Sequence, residues 1–222
     1  MQQANRVGPG QHEGPPELTV TDLAASYGAK PIFSNINFTL KPGCLHLKGR
    51  NGAGKSTLIN ILAGTVASAS GDIVLNQITL GQSPLAYKRL SSLVPDEPVF
   101  YPYVSVREYL HFVLSARQQR WDSQLDELLS DFGLTSQIDS QLGALSLGSK
   151  KKLFLAAGMH SATALLLLDE PSNGLELRAR HTLTEWCRAQ AQEKIIIFAS
   201  HDTSFTASLA TASFDIEHPQ LA

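Results

Sequence analysis

GRNGAGKS, residues 49–56, decides how the rest of the chain is read. It follows CLHLKG (44–49), which reads as a short strand, and precedes STLINILAG (56–64), where Leu58, Ile61 and Leu62 recur at helical spacing. The order is strand, glycine-rich loop, helix, and the octet matches G-x-x-x-x-G-K-[ST] at every fixed position. Gly49, Gly52 and Gly54 let the backbone bend so that successive N–H groups converge on phosphate oxygens at the positive end of a helix. Lys55 would reach the β and γ phosphates and Ser56 would offer its hydroxyl to Mg²⁺. Asn51, Ala53 and Thr57 complete the set of expected phosphate-loop positions.

A phosphate loop calls for an acidic site at the end of a buried strand. ALLLLDE (164–170) supplies Asp169 for Mg²⁺, directly or through water, and Glu170 as a general base toward the attacking water. ALLLLDE and KIIIFASHD (194–202) hold continuous apolar runs of the kind that parallel strands buried on both faces require, and residues 174–192 between them read as a crossover helix. Upstream, Leu18–Leu23 and INFTL (36–40) read as antiparallel strands with KPG (41–43) as a turn, and GDIVLNQITL (71–80) as further strand. Between 97 and 149 the texture is helical. Ser105 and Glu108 form a capping-box pattern ahead of Val106, Tyr109, Leu110, Val113 and Leu114, and Leu125, Leu128, Leu129 and Phe132 repeat the spacing up to Gly133.

The 222 residues, 43% hydrophobic, fit a single domain with its own core. Eighteen basic against twenty acidic residues give a net charge of -2, so no global positive field recruits nucleic acid. Cys44 and Cys187 lie far apart without a metal-binding pattern and read as free structural thiols in a reducing compartment. The longest uncharged run, Leu153–Leu168, is shorter than the roughly 20 apolar residues of a membrane span. Residues 1–17, rich in Gly, Pro and Gln, lack a signal-peptide core and read as a flexible tail. A cytoplasmic protein is expected.

Four further stretches, in order, resemble the ATP-binding cassette (ABC) ATPase family, the nucleotide-binding subunits of ABC transporters. ALSLGSKKK (144–152) resembles the LSGGQ signature, DEPSNGLE (169–176) the Walker B and D-loop, and ASHD (199–202) the switch histidine, while SYGAKPIFSNINFTLKPG (26–43) is similar to the region whose aromatic ring stacks on adenine. The resemblance covers residues 18–202 and implies an α/β fold: a P-loop NTPase (RecA-like) core, 18–96 and 150–222, with an antiparallel β-subdomain and an inserted α-helical subdomain, 97–149.

Carried over by position, the resemblance implies that Tyr27 faces adenine, with packing between strands as the alternative. It implies that Ser146 and Gly148 touch the γ-phosphate of an ATP bound by an opposing domain, hence a homo- or heterodimer of such domains, and that His201 contacts the γ-phosphate and attacking water. Asn173, Gly174 and Glu176 fall in the D-loop. There are departures: Leu147 stands where the signature has glycine, Ser149 where it has glutamine, and Glu176 where the D-loop has aspartate. In VPDEP (94–98), Asp96 takes the position of the Q-loop glutamine, either still reaching Mg²⁺ or only shaping a turn between two prolines. Lys150–Lys152 read as a solvated helix face rather than a nucleic-acid patch.

The implied function is an ATPase subunit, with ATP and Mg²⁺ as cofactors, seated peripherally on the cytoplasmic face of a membrane and driving a separate transmembrane permease. YPYVSVREYL (101–110) resembles ABC-2-type exporters, so export is favoured over import. Phe100, Tyr101, Tyr103, Tyr109 and Phe112 would line the groove for the permease or pack the helical insertion. Two other readings are a non-transport ABC protein acting on nucleic acid or the ribosome, and a low-turnover regulatory nucleotide-binding module.

Overall fold

The computed structural model describes residues 14–221. Most of the tail expected over 1–17 therefore lies outside the described residues. The chain opens with β1 (Leu18–Tyr27), β2 (Lys30–Leu40), β3 (Gly43–Lys48) and α1 (Lys55–Leu62), followed by β4 (Ser70–Leu75), β5 (Ile78–Thr79), α2 (Pro84–Leu90) and β6 (Ser91–Val94). The helical region holds α3 (Val106–Ala116), α4 (Ser123–Asp131) and two 3-10 turns. The second half contains α5 (Leu147–His160), β7 (Leu165–Asp169), α6 (Leu177–Gln190), β8 (Ile195–Ala199), α7 (Thr203–Leu209), β9 (Ala212–Asp215) and β10 (Gln220–Leu221).

Two sheets result. β2-β1-β4-β5 is antiparallel, and β10-β9-β3-β8-β7-β6 is parallel from β9 through to β6. The antiparallel expectation for 18–23 and 36–40 holds, with Leu18 opposite Leu40, but their hairpin turns at Gly28-Ala29. KPG instead carries the chain from one sheet to the other. The stretch 71–80 is a hairpin rather than one strand: Asn76 and Gln77 both adopt positive φ, 48° and 66°, which supplies the tight turn between β4 and β5.

Every residue of β7 and β8 is buried because the parallel sheet is covered on both faces. Alternate side chains serve two cores. Leu165, Leu167, Ile195 and Ile197 pack with α1 and the antiparallel sheet, whereas Leu166, Leu168, Ile196 and Phe198 pack with α5 and the helical region. Each such side chain contributes roughly 1.5–3 kcal/mol by leaving water. Helix α5 lies beneath this second core and buries Leu153 through Met159 without interruption. It runs without a break across the expected 149/150 boundary, so one rod joins the helical region to the sheet. A Cβ on Gly158 would meet Val94 Cγ2 at 2.5 Å, so glycine there lets α5 press onto β6.

The capping box forms as read. Ser105 Oγ accepts from the Glu108 N–H at 3.2 Å, and Glu108 Oε2 accepts from the Ser105 N–H at 2.8 Å. Gly133, at φ 68°, follows α4 in the left-handed conformation. Ser105→Ala is expected to destabilise the protein by about 1 kcal/mol, read as a lower urea midpoint with unchanged slope.

Candidate functional site

Five parallel strands end at the same edge, where open α/β sheets bind ligands. Register places Val94 beside Leu168, Asp169 beside Ala199 and His46 beside Phe198. The segments leaving these strands, at Asp96, Asp169-Glu170, His201 and Gly49, therefore share one edge.

The loop after β3 is shaped by glycine. Gly54 caps α1 at φ 100°, and a Cβ there would lie 2.6 Å from Ile32 Cγ2, so both conformation and contact exclude a side chain. Gly49 and Gly52 take φ 146° and 81°. Lys55 is 8% exposed and donates to the carbonyls of Gly49 and Arg50 at 2.8 and 3.0 Å, clasping its own loop. Asn51, Ala53, Ser56 and Thr57 follow the turn into α1 without being buried. A fastening that sequence reading missed comes from beyond β9: Glu217 accepts from the Arg50 N–H at 2.9 Å and from its Nε at 2.8 Å. Those residues are 167 apart in sequence, with no motif to link them. Tyr27 ends β1 with 86% of its surface exposed, which removes packing between strands as its role.

Asp169 ends β7 at 6% exposure, and its Oδ1 is buried without a hydrogen-bond partner. Burial pushes its carboxyl above the ordinary value; the nearby Ser56 hydroxyl pulls it down, and the charge of Asp96 adds to the rise. A buried carboxylate with an unpartnered oxygen and a serine hydroxyl nearby are a fitting donor pair for Mg²⁺, a hard cation that takes oxygen ligands. Glu170 turns at φ 46°, a left-handed conformation that costs a non-glycine residue strain. Its carboxylate is held by His201, whose backbone N–H donates to Oε2 at 3.1 Å while Nε2 lies 3.4 Å from Oε1. Burial again raises the Glu170 carboxyl, offset by the His201 hydrogen bond. A carboxylate raised in this way and held beside an imidazole is suited to taking a proton.

The signature-like stretch starts α5. Ser146 caps it, with Oγ accepting from the Ser149 N–H at 3.0 Å, while Leu147 is 83% exposed. Gly148 stands against the Gly174 carbonyl, 3.6 Å from the position a Cβ would take, so the D-loop passes over the helix start. Gly148, Asn173 and Gly174 line a cavity of about 410 Å³ with Asp96 and Phe100, apart from the lining of the cavity beside the glycine loop.

The three lysines that follow are not a solvated face. Lys150 sits over the Phe100 ring, 4.2 Å from its centroid, and Lys152 pairs with Glu176 at 3.0 Å. Lys151 is buried and pairs with Asp96 at 3.1 Å. The correction has a simple cause: α5 is embedded at this level, so its cations must find partners. Asp96 itself faces Lys151 as well as the acidic end of β7. The aromatic run divides. Phe100 and Tyr109 pack on the core, whereas Tyr101, Tyr103 and Phe112 are 81%, 82% and 72% exposed. Cys44 and Cys187 are free and buried, as read.

A family profile described as ABC transporter matches residues 33–173. The ABC-type transporter ATP-binding protein EcsA of Bacillus subtilis is 30% identical over 205 residues, covering 90% of this chain and 83% of EcsA. The Nod factor export ATP-binding protein I of Rhizobium etli is 34% identical across 83% of this chain but 60% of its own length. For the ABC transporter G family member 4 of Arabidopsis thaliana, 32% identical, the share of its own length falls to 31%. A solved structure described as the ATP-binding subunit of an ABC transporter superposes with a TM-score of 0.83 at 26% identity, over 90% of this chain and 85% of that one.

The raised Asp169 carboxyl fixes the sign of a pH effect. The fold favours the neutral acid, so stability falls as pH rises from the unfolded to the folded pKa, and at neutral pH the ionised group opposes folding. Without nucleotide or metal, Asp169→Asn is expected to be more stable than the parent at pH 7. The advantage should shrink as pH falls and vanish near pH 3, below the ordinary Asp value of about 3.9. Mg²⁺ should raise the melting temperature of the parent and leave that of the variant unchanged. Parallel curves across the whole pH range would contradict burial as the cause.

Proposed function

We propose, from the premise that the chain belongs to the ABC transporter family, that it is the ATP-hydrolysing subunit of an export system, acting as one half of a dimer on a separate membrane permease. The observation that carries the reading is the meeting of Lys55, Ser56, Asp169, Glu170 and His201 at one sheet edge. ATP binding follows from the family; Mg²⁺, the dimer and the permease belong to the proposal.

The residues divide the work as follows. The N–H groups of residues 51–57 and the Lys55 ammonium receive the phosphates, with Lys55 exchanging its loop carbonyls for phosphate oxygens. Ser56 and Asp169 would hold Mg²⁺, which when bound supplies positive charge against the phosphate oxygens. Glu170 takes the proton of the attacking water, and His201 holds Glu170 and steers the same water toward the γ-phosphate. Ser146 and Gly148 present the start of α5 to a nucleotide held by the opposing subunit, and Tyr27 offers an exposed ring to adenine.

Export is supported by the name of one relative reported above, the Nod factor export ATP-binding protein I. No helix among the described residues is long and apolar enough to cross a membrane, which suits a motor whose channel is another chain. Val99, Tyr101, Tyr103 and Phe112 expose apolar surface at the helical region, the face we assign to the permease.

Glu170→Gln is expected to retain ATP binding and to lower turnover by about 10²–10⁴-fold, with ATP-dependent dimers accumulating in size-exclusion chromatography. Undiminished turnover would remove Glu170 from its role. Tyr103→Ser with Phe112→Ser should abolish co-purification with a polytopic membrane protein while the circular dichroism spectrum is unchanged; retained co-purification would move the docking face elsewhere.

A further inference from the structure

We propose that Lys151 is a positioning residue of the nucleotide site, whose ammonium ties Asp96 to the end of β7 so that the two side chains act as one neutral pair beside Asp169. The inference rests on the reading of residues 49–56 and 169 as a nucleotide and Mg²⁺ site.

The geometry is specific. An ammonium has three donors, and Lys151 Nζ meets three acceptors: Asp96 Oδ1 at 3.1 Å, the Asp96 carbonyl at 3.1 Å and the Asp169 carbonyl at 3.4 Å. Three separate pieces of chain converge on one atom: the loop after β6, the end of β7 and the first turns of α5. The Lys151 side chain is 7% exposed, so its charge needs these partners. Asp96, at 38%, could be solvated without it, and the prolines on either side restrict the loop that presents it. The contact therefore constrains Asp96 more than solvation alone would.

The consequence is electrostatic. The Asp96 charge reaches both Asp169 and Glu170, and that of Lys151 acts on Asp169 in the opposite sense. At Asp169 the two charges act in opposite senses, so removing either one alone would alter the field there. Because Lys151 sits one turn inside a helix that begins at Leu147, a shift of α5 pulls on Asp96 and on the Asp169 backbone together. Lys151 touches no substrate in this scheme; it acts through Asp96 and Asp169.

The test compares the full chain with Lys151→Met, Asp96→Asn, the double variant and Lys151→Arg. Binding of trinitrophenyl-ATP is titrated with and without Mg²⁺, and the ratio of the two affinities is the readout. Lys151→Met leaves Asp96 uncompensated and is expected to raise the ratio about tenfold, the order of effect one neighbouring charge exerts. Asp96→Asn should lower it, the double variant should return close to the parent, and Lys151→Arg should match the parent. Urea unfolding without nucleotide or metal gives a second readout: the double variant should lose less stability than the two single variants added together. An unchanged Mg²⁺ ratio in every variant would make Lys151 structural only, and additive unfolding losses would show that the residues do not pair. If Lys151→Met fails to fold, Asp96→Asn and Lys151→Arg still decide the ratio. A parent that binds no nucleotide would instead overturn the reading of the site, leaving the unfolding cycle as a separate test of the pair.

Discussion

Parallel pairing of β9, β3, β8, β7 and β6 is the constraint on which the site depends. Parallel strands all finish on one side, so burying five of them brings five unrelated segments to a common edge without any local signal for their meeting. Register does the rest. With Asp169 beside Ala199, the residues after each strand, Glu170 and His201, come within hydrogen-bonding reach although they lie 31 positions apart. A one-residue slip would send the apolar set of β7 to the opposite core, so the packing that stabilises the sheet also aims the catalytic edge.

That edge carries ionisable groups that a folded chain usually keeps in water. Lys55, Lys151 and Asp169 are each under a tenth exposed, and Glu170 holds a left-handed backbone. Buried charges survive only when paired or hydrogen-bonded. Lys55 satisfies the rule with the carbonyls of its own loop, and Lys151 with Asp96 and the end of β7. Asp169 Oδ1 does not satisfy it. Of these three charges Asp169 is thus the one left with an unpartnered oxygen, and the proposed Mg²⁺ would supply that partner and offset the burial of its charge.

Much of this was legible in the sequence because its signals are local. The glycine loop needs residues within eight positions of one another, the Ser105–Glu108 box needs three, and LLLLD and IIIFA declare buried strands by composition alone. What stayed hidden depends on distant partners. Nothing near Glu217 marks it as the clamp on Arg50, and nothing near residue 76 shows that an Asn-Gln pair without glycine turns a hairpin. The β9 and β10 strands are short, four and two residues, and leave too little periodicity to read. The lysine triplet was misread for the opposite reason: three adjacent charges look solvated when the surroundings of the helix are unknown.

The departures around α5 are better understood as one rewired surface than as separate losses. Asp96, in place of a neutral amide, and Glu176, in place of a shorter acid, sit on different loops, and each faces a lysine of the same helix, Lys151 and Lys152 respectively. Ser149 is drawn into the Ser146 cap through a hydroxyl contact of 3.1 Å. At the fourth unusual position Leu147 is exposed at the very start of the helix. Random decay would leave orphaned charges, since a buried lysine without a carboxylate costs several kcal/mol. Here the one added anion, Asp96, meets a cation. Asp96 is therefore more than a free turn residue: its carboxylate is paired with a lysine 55 positions away, and the loop, the strand end and the helix meet at that pair.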